Sequence, residues 1–504
     1  MTLARTTALS ICFLSSTALA DLAAPSSTII TPDSEYLAML QAPEGGVYAI
    51  GQIRTDDSGH RDVLVNRISP DMENAWSLVM GGSQDENDDL LDVAAGADGD
   101  LFVLAKLRDF DEEGHHKTHV NTYRINPEGE VVWTHTSDSL GLTGYWPSTE
   151  KTRLATSTVG RTCIMENVVY ESIQVRSLDA EGNMEWDKNY MIEGVNNTII
   201  GLEVTMNDAG ETLVGGLIAG GDSAGQFAMS IAPDGTHQWT HLFPCESNAG
   251  GPHCVIKVDS DGNWIIAGEL SEIDNSLSLY AATMTPSGTV SWQSQYSEFD
   301  KQLFLHGMDV GPDNAVVLGS TSQWHNGDIW KRTQVVLKFD AAGQLEWSRK
   351  NFTPNMFENN AVTGIACGTN DLIHVSGYYY GDEGSLAQIC STMNSSGEVT
   401  KATAWNPSQS SDLTSDVVID ENGDTFLCGR TNPQGSSHEF DGTVIKVTNC
   451  VADIDANGSV NIIDLLTLLS VYGSYDLGAD LDQDGSVGVT DLLILLEQWN
   501  ICNA

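Results

Sequence analysis

Apolar and polar residues alternate in short runs along most of the chain, and the runs are punctuated by Asp-Gly and Asn-Gly. Val93 to Val103, Val258 to Ile266 and Val417 to Leu427 each read as two apolar runs joined through Asp98-Gly99, Asp261-Gly262 or Asn422-Gly423. Period-two alternation around such a pair predicts a tight β-hairpin. A glycine closes the second strand of several hairpins, as at Gly51, Gly268, Gly319, Gly377 and Gly429. A longer period lies over this one. Trp76, Trp133, Trp186, Trp239, Trp292 and Trp347 recur at intervals of 57, 53, 53, 53 and 55 residues. Five of these tryptophans follow a glycine four residues earlier, at Gly129, Gly182, Gly235, Gly288 and Gly343. Gly397 continues the series, with Lys401 in the tryptophan slot. Four residues before each glycine stands an apolar strand end, at Ile125, Leu178, Ile231, Met284, Phe339 and Met393, and Ile68 and Val447 complete that column.

Each unit is therefore predicted to hold a hairpin, a third strand ending in a glycine turn, and a fourth strand opening at tryptophan. Four strands per unit of about 54 residues predict an all-β chain of propeller type, because one such sheet cannot bury its faces alone and a ring of them can. Eight column members predict an eight-bladed β-propeller over residues 21–449. A seven-bladed ring is the alternative if the weak third repeat, around Val159-Gly160, is an insertion. The eighth unit lacks its tryptophan strand, and Ser27-Thr28-Ile29-Ile30 is placed to supply the missing edge. The pattern resembles bacterial propeller repeats with a D-x-x-G-N-x-Y-V-x-G phrase, which occur in secreted proteins.

After Val447 the pattern changes to two acidic loops, each followed by a leucine-rich helix. The loops start at Asp453 and Asp480, 27 positions apart. Oxygen side chains fall at loop positions 1, 3, 5 and 12, and Gly458 and Gly485 fall at position 6. A hard cation such as calcium needs six to eight oxygens, and the glycine allows the turn that gathers them. The helices, around Leu465–Leu469 and Leu492–Leu496, are apolar on most of their circumference and are expected to bury against each other. Gly473 is placed to stop the first. No helix precedes either loop, and position 12 is Asp rather than Glu.

This arrangement resembles the dockerin family, calcium-dependent modules that plug into cohesins, over Cys450 to Cys502. With its bracketing cysteines and Trp499, it looks like the dockerin-like tails of secreted planctomycete-type bacterial proteins. The resemblance implies a small α calcium-binding domain over residues 450–504 that holds two Ca2+ ions. It implies ligands at Asp453, Asp455, Asn457, Asn461 and Asp464, and at Asp480, Asp482, Asp484 and Asp491. Ser459 and Ser486 stand at position 7, where calcium loops use a backbone carbonyl. Gly488 replaces the ninth-position ligand of the second loop, where a water fits. The implied partner of this tail is a cohesin-like or cell-surface protein. The chain departs from cohesin-binding dockerins at Ile462-Ile463 and Val489-Thr490, and it has no Lys or Arg after Lys446.

Composition adds the setting. Residues 1–20 carry Arg5, an apolar stretch and Ala18-Leu19-Ala20, the pattern of a secretory signal peptide, so an extracellular or cell-surface location is expected. No later stretch is apolar enough to span a membrane. The net charge of −47, or −48 without Arg5, excludes nucleic acid and anionic membranes as partners. Of nine cysteines, Cys12 leaves with the signal. Disulfides are plausible among the remainder in an exported chain. Cys450 and Cys502 are expected to pair, Cys245 and Cys254 lie near each other, and Cys163, Cys367, Cys390 and Cys428 read as buried thiols or bridges alike.

No catalytic motif stands out among 70 acidic residues. His115, His116 and His119 read as a solvated loop rather than a metal site. The tryptophans of the periodic column read as core between blades, whereas Trp146, Trp324 and Trp330 lie off the register and suit ligand contact. The sequence thus predicts a secreted calcium-binding propeller that binds a glycan or protein without catalysis. The alternative is a polysaccharide-degrading enzyme, an O-glycosyl hydrolase or lyase, with the same tail.

Overall fold

The computed structural model describes residues 25–499 apart from 56–58, 83–86, 97, 111–115, 139–151, 169–171, 194, 196–197, 221–223, 246–249, 273, 275, 327–328, 351–358, 369–370, 381–384, 407, 409–410, 421–422, 433–439, 448–451, 455–459, 476–478 and 482–485. The chain is β-propeller-like: strand dominates, and the two helices of the described residues lie at its end. The strands form four-stranded antiparallel meanders over 34–80, 89–138, 153–190, 198–244, 250–296, 302–350 and 360–405, here units one to seven. Unit eight spans 413–447, and its fourth strand is Ser27–Thr31 from the other end of the chain, paired antiparallel from Ser27 opposite Lys446 to Thr31 opposite Gly442. The weak third repeat is a complete meander, with Val159-Gly160 at its hairpin tip. Units five and six share one parallel pairing, Leu277 with Gln302.

Hydrophobic clusters lie between the sheets. One joins Ile265, Ala267 and Leu279 of unit five to Leu303, Leu318 and Leu337 of unit six. The first strands of successive units pack side by side, and that of unit eight packs on that of unit one. Six first strands carry a one-residue bulge, at Leu37, Leu91, Leu202, His306, Thr363 and Ser415. A bulge bends its strand and re-aims the side chain it carries. Each unit thus has two ends: a turn end, with the hairpin tips and the glycine turns, and a loop end, where first strands begin and longer connections run.

The tryptophan column couples each unit to the next. Trp76, Trp133, Trp186, Trp239 and Trp347 donate their indole N–H to Pro127, Ala180, Pro233, Pro286 and Ser395 carbonyls at 2.8–2.9 Å. Each acceptor stands two residues before the glycine of the neighbouring turn. That glycine has positive φ, between 77° and 88°. At five of the six glycines an added Cβ would sit 2.6–2.9 Å from the ring, and at Gly343 closer still. Only glycine fits between a left-handed turn and an aromatic face. Met72 occupies the same place in unit one with φ 60°. The fourth strand of unit eight, Ser27–Thr31, has no tryptophan; Met72 and Ile29 pack instead against one shared hydrophobic cluster.

The helices are α1 (Ile462–Ser470) and α2 (Val489–Glu497). Leu468 and Leu495 meet Val460, Val487, Ala452 and Ala479 in a small core, with Leu465, Leu492 and Trp499 around it. The helices bury against each other as expected, but only along one face. Ile462, Leu466, Val489 and Leu493 are 55–61% exposed, because two nine-residue helices have only each other and short loops to cover them. Gly473, with φ 79°, follows α1 and donates its N–H to the Val487 carbonyl, tying the end of α1 to the start of α2.

The expected disulfides are corrected for the described residues: Cys163, Cys245, Cys254, Cys367, Cys390 and Cys428 are thiols. Four of them are buried and serve as small apolar side chains. Burial pushes the Cys163 and Cys390 thiols up to about 12, which makes them unreactive. Cys450 and Cys502 lie outside the described residues.

Candidate functional site

Most buried charge has a structural partner. Asp92, Asp309 and Asp416 lie on first strands and accept the N–H of Leu154, Cys367 and Met39 in the next unit at 2.8, 2.7 and 3.0 Å. Asp309 also meets Lys257 at 2.6 Å. These carboxylates fasten one unit to another. Arg176 pairs with Glu166, and Arg61 and Arg430 share Glu35. His119 pairs with Asp109 at 3.0 Å across its hairpin; His115 lies outside the described residues. At the turn end, a cleft of about 240 Å³ between units two and three is lined by Asp100, Phe102 and Arg124. Arg124 is committed there to Asp100 and the Ala180 carbonyl.

One group at the loop end does not fit that pattern. It is built by units five, six and seven. His253 on Gly250–Val258 and Glu269 on Trp264–Ser271 pair across unit five, Nδ1 to Oε1 at 2.8 Å. Glu269 is wholly buried, and the same oxygen accepts the Leu305 N–H of unit six at 2.7 Å. Its second oxygen, Oε2, has no hydrogen-bond partner among the described residues. The bulge on Gln302–Val310 aims His306 toward His253, with ring centroids 6.3 Å apart. Packing around its ring, then the neighbouring His253 and the Arg332 guanidinium, lower His306 below the usual imidazole range even though part of the side chain stays exposed.

Arg332, on Ile329–Phe339, is the cation of the group. Among the described residues its guanidinium meets only neutral partners, Gln323 Oε1 at 3.1 Å and the Tyr378 hydroxyl at 3.4 Å. Arg67 and Arg349 also lack a carboxylate among the described residues, but backbone carbonyls take up their guanidiniums. Arg332 stands instead beside His306 and Tyr378, where a guanidinium can take an anion. Trp324 and Trp330, expected in loops, lie on the long hairpin that carries Arg332, opposite Lys331 and His325. Lys301 covers the Trp324 ring at 4.5 Å. Trp330 is 53% exposed and meets His325 edge-on. Trp146 lies outside the described residues.

The sequence reading missed Glu269, His253, His306, Arg332 and Tyr378. The available signal was His306, which stands where three other units have Leu37, Leu91 and Leu202, but bulge positions are not visible before strands are paired.

Of the predicted calcium ligands, Asp453, Asn461, Asp464, Asp480, Ser486 and Asp491 are described; Asp455, Asn457, Ser459, Asp482 and Asp484 lie outside the described residues. Asp464, Asp480 and Asp491 are buried. Asp464 accepts the Asn461 N–H at 2.8 Å. Asp491 accepts the N–H of Gly488 and of Leu481, so position 12 folds back onto the start of its own loop. Among the described residues no cluster of His, Cys, Asp or Glu is arranged to hold a metal.

No protein-family model matches the chain, and no curated protein matches it. Solved structures similar to it include a eukaryotic initiation factor, with TM-score 0.42 and 11% identity over 80% of this chain and 82% of that one. The polysaccharide lyase Uly1 gives TM-score 0.43 and 11% identity over 82% and 89%. A PL25 ulvan lyase bound to -[GlcA(1-4)Rha3S]- gives TM-score 0.38 and 8% identity over 69% and 89%. At these values the likeness says nothing about substrate or activity.

Proposed function

We propose that the protein is an exported glycan-binding propeller whose loop end takes an acidic polysaccharide at His253, His306, Arg332 and Tyr378. The observation that carries this reading is Arg332, a guanidinium that meets only neutral side chains among the described residues and stands beside His306, with an exposed Trp330 two residues away. A planar guanidinium binds a sugar carboxylate through two parallel hydrogen bonds, and an exposed indole face stacks on a pyranose ring. Calorimetry with polyuronate oligosaccharides tests it. Binding should weaken at least about tenfold in Arg332→Ala, the loss of one charge-assisted contact, and neutral oligosaccharides should bind far less. Equal affinity for neutral and acidic glycans would remove the reading.

The eight units are read as blades of one closed ring, supported by the side-by-side packing of first strands from unit one round to unit eight. Residues 450–504 are read as a dockerin-like module for two Ca2+ ions that engages a cohesin-like or cell-surface protein. The donor chemistry fits: the ligands are all oxygen, three carboxylates are buried, and no Lys or Arg follows Lys446 to balance them. Asp453, Asp464, Asp480 and Asp491 would hold the ions, whose role is to fold the loops onto the helices.

A further inference from the structure

We propose, resting on the acidic-glycan reading above, that the same site cleaves 4-linked polyuronates by β-elimination. Glu269 is the starting point. In its place the fold asks only for an acceptor toward the next unit's first strand. Asn167 meets that need in unit three, where Oδ1 accepts the Gly201 N–H at 2.7 Å. A carboxylate does more. It holds His253 through Nδ1, which leaves Nε2 unprotonated as a proton acceptor and stabilises the imidazolium once formed. A fully buried carboxylate with its second oxygen unpartnered is costly, and the structural task alone does not call for it.

The neighbours complete the chemistry. Arg332 pairs with the C6 carboxylate of the sugar, which acidifies the C5 hydrogen by stabilising charge that develops on the carboxylate. His306, its pKa lowered beside that guanidinium, adds a hydrogen-bond donor without a second charge. His253 Nε2 takes the C5 proton. The C5–H electron pair forms the C4–C5 double bond, the C4–O4 bond breaks, and the leaving O4 takes a proton from the Tyr378 hydroxyl. Tyr378 is then reprotonated from the imidazolium through solvent. Neither water nor an oxidant is consumed. The elements are spread over units five, six and seven, so a saccharide chain would lie across three units with Trp330 beside it.

The test uses the full-length protein on polygalacturonate, alginate and glucuronate-containing polymers. Ultraviolet absorbance and product mass report the unsaturated uronate. The expected result is a product with a C4–C5 double bond, equal in mass to the hydrolysis product less one water. His253→Ala and Tyr378→Phe should each lower kcat at least about 100-fold, the size of a lost acid or base, while oligosaccharide affinity falls far less than in Arg332→Ala. Arg332→Ala should lose binding. Glu269→Gln keeps an acceptor for the Leu305 N–H, so the fold is retained. As a positioning residue, Glu269 should still govern the pH–rate profile, which a purely structural glutamate would not. Acidic-glycan binding with no unsaturated product from any polymer overturns elimination and leaves the binding reading standing. A saturated product overturns it in favour of hydrolysis. Absence of all binding overturns the reading beneath it.

Discussion

Gly288→Ala gives a sharp test of the coupling between units. Gly288 has φ 85°, and an added Cβ would lie 2.6 Å from Cδ2 and 2.8 Å from Cγ of Trp239. The left-handed backbone alone costs a non-glycine residue about 1–2 kcal/mol. The ring must also move, and it is pinned by its N–H to the Pro286 carbonyl at 2.8 Å. Losing that bond adds roughly 0.5–1.5 kcal/mol, and overpacking adds about 1–3 kcal/mol. The expected cost is therefore roughly 2.5–6.5 kcal/mol in all. Gly262 is the internal control: φ is 79°, but nothing lies within 4 Å of its added Cβ. Gly262→Ala should cost only the backbone share, about 1–2 kcal/mol. In a Trp239→Ala background, Gly288→Ala should fall to the same share, because the partner it strikes has gone. Urea unfolding followed by far-ultraviolet circular dichroism measures all four variants through their midpoints at a common m-value. Equal costs for Gly288→Ala and Gly262→Ala, or an unchanged cost without Trp239, would refute the reasoning.

Burial raises Asp416 to about 6, only partly offset by the N–H groups of Met39 and Val417. The native state then holds a proton that the unfolded chain releases near 4, so this residue's contribution to stability falls as pH rises from about 4 to 6. The fall amounts to about 2–3 kcal/mol; Asp416→Asn should flatten that slope, and an unaltered slope would contradict the assignment. Calorimetry of the whole chain should register two calcium ions, and Asp453→Ala with Asp480→Ala should abolish both; an unchanged titration in the double variant would count against the module. Cys450 and Cys502 should be joined in exported protein, contributing roughly 4 kcal/mol by closing a long loop. Peptide mapping that finds both as thiols would exclude this. Deleting residues 27–31 should bare the edge of Asp441–Val447 and cause aggregation, which light scattering would detect.

The repeat was legible in the sequence because it is written in local terms. Alternation, Asn-Gly and Asp-Gly turns and the tryptophan interval need no knowledge of the third dimension, and the apolar run at Ile29-Ile30 was enough to suggest the closing strand. The reason for the turn glycines was not legible, since each answers to a tryptophan 49–53 residues earlier. The candidate site was harder still. His253, Glu269, His306, Arg332 and Tyr378 come from three units and share no spacing, and only the folded chain brings Arg332 beside His306 and Tyr378. The leucine helices misled in the opposite sense. Their composition speaks of burial all round, but nine residues each leave too little protein to provide it.

The borrowed strand also decides where the chain can continue. In units one to seven the fourth strand carries the chain back to the loop end. Had unit eight closed itself in that way, anything following would begin at the loop end, where His306 and Arg332 lie. Because Ser27–Thr31 fills that place, the chain leaves unit eight after its third strand, at Val447, from the turn end. The N-terminal segment thus acts as a stopper that lets the chain continue from the turn end, opposite the loop end. A tail can be lengthened, exchanged or tethered there without crowding the loop end.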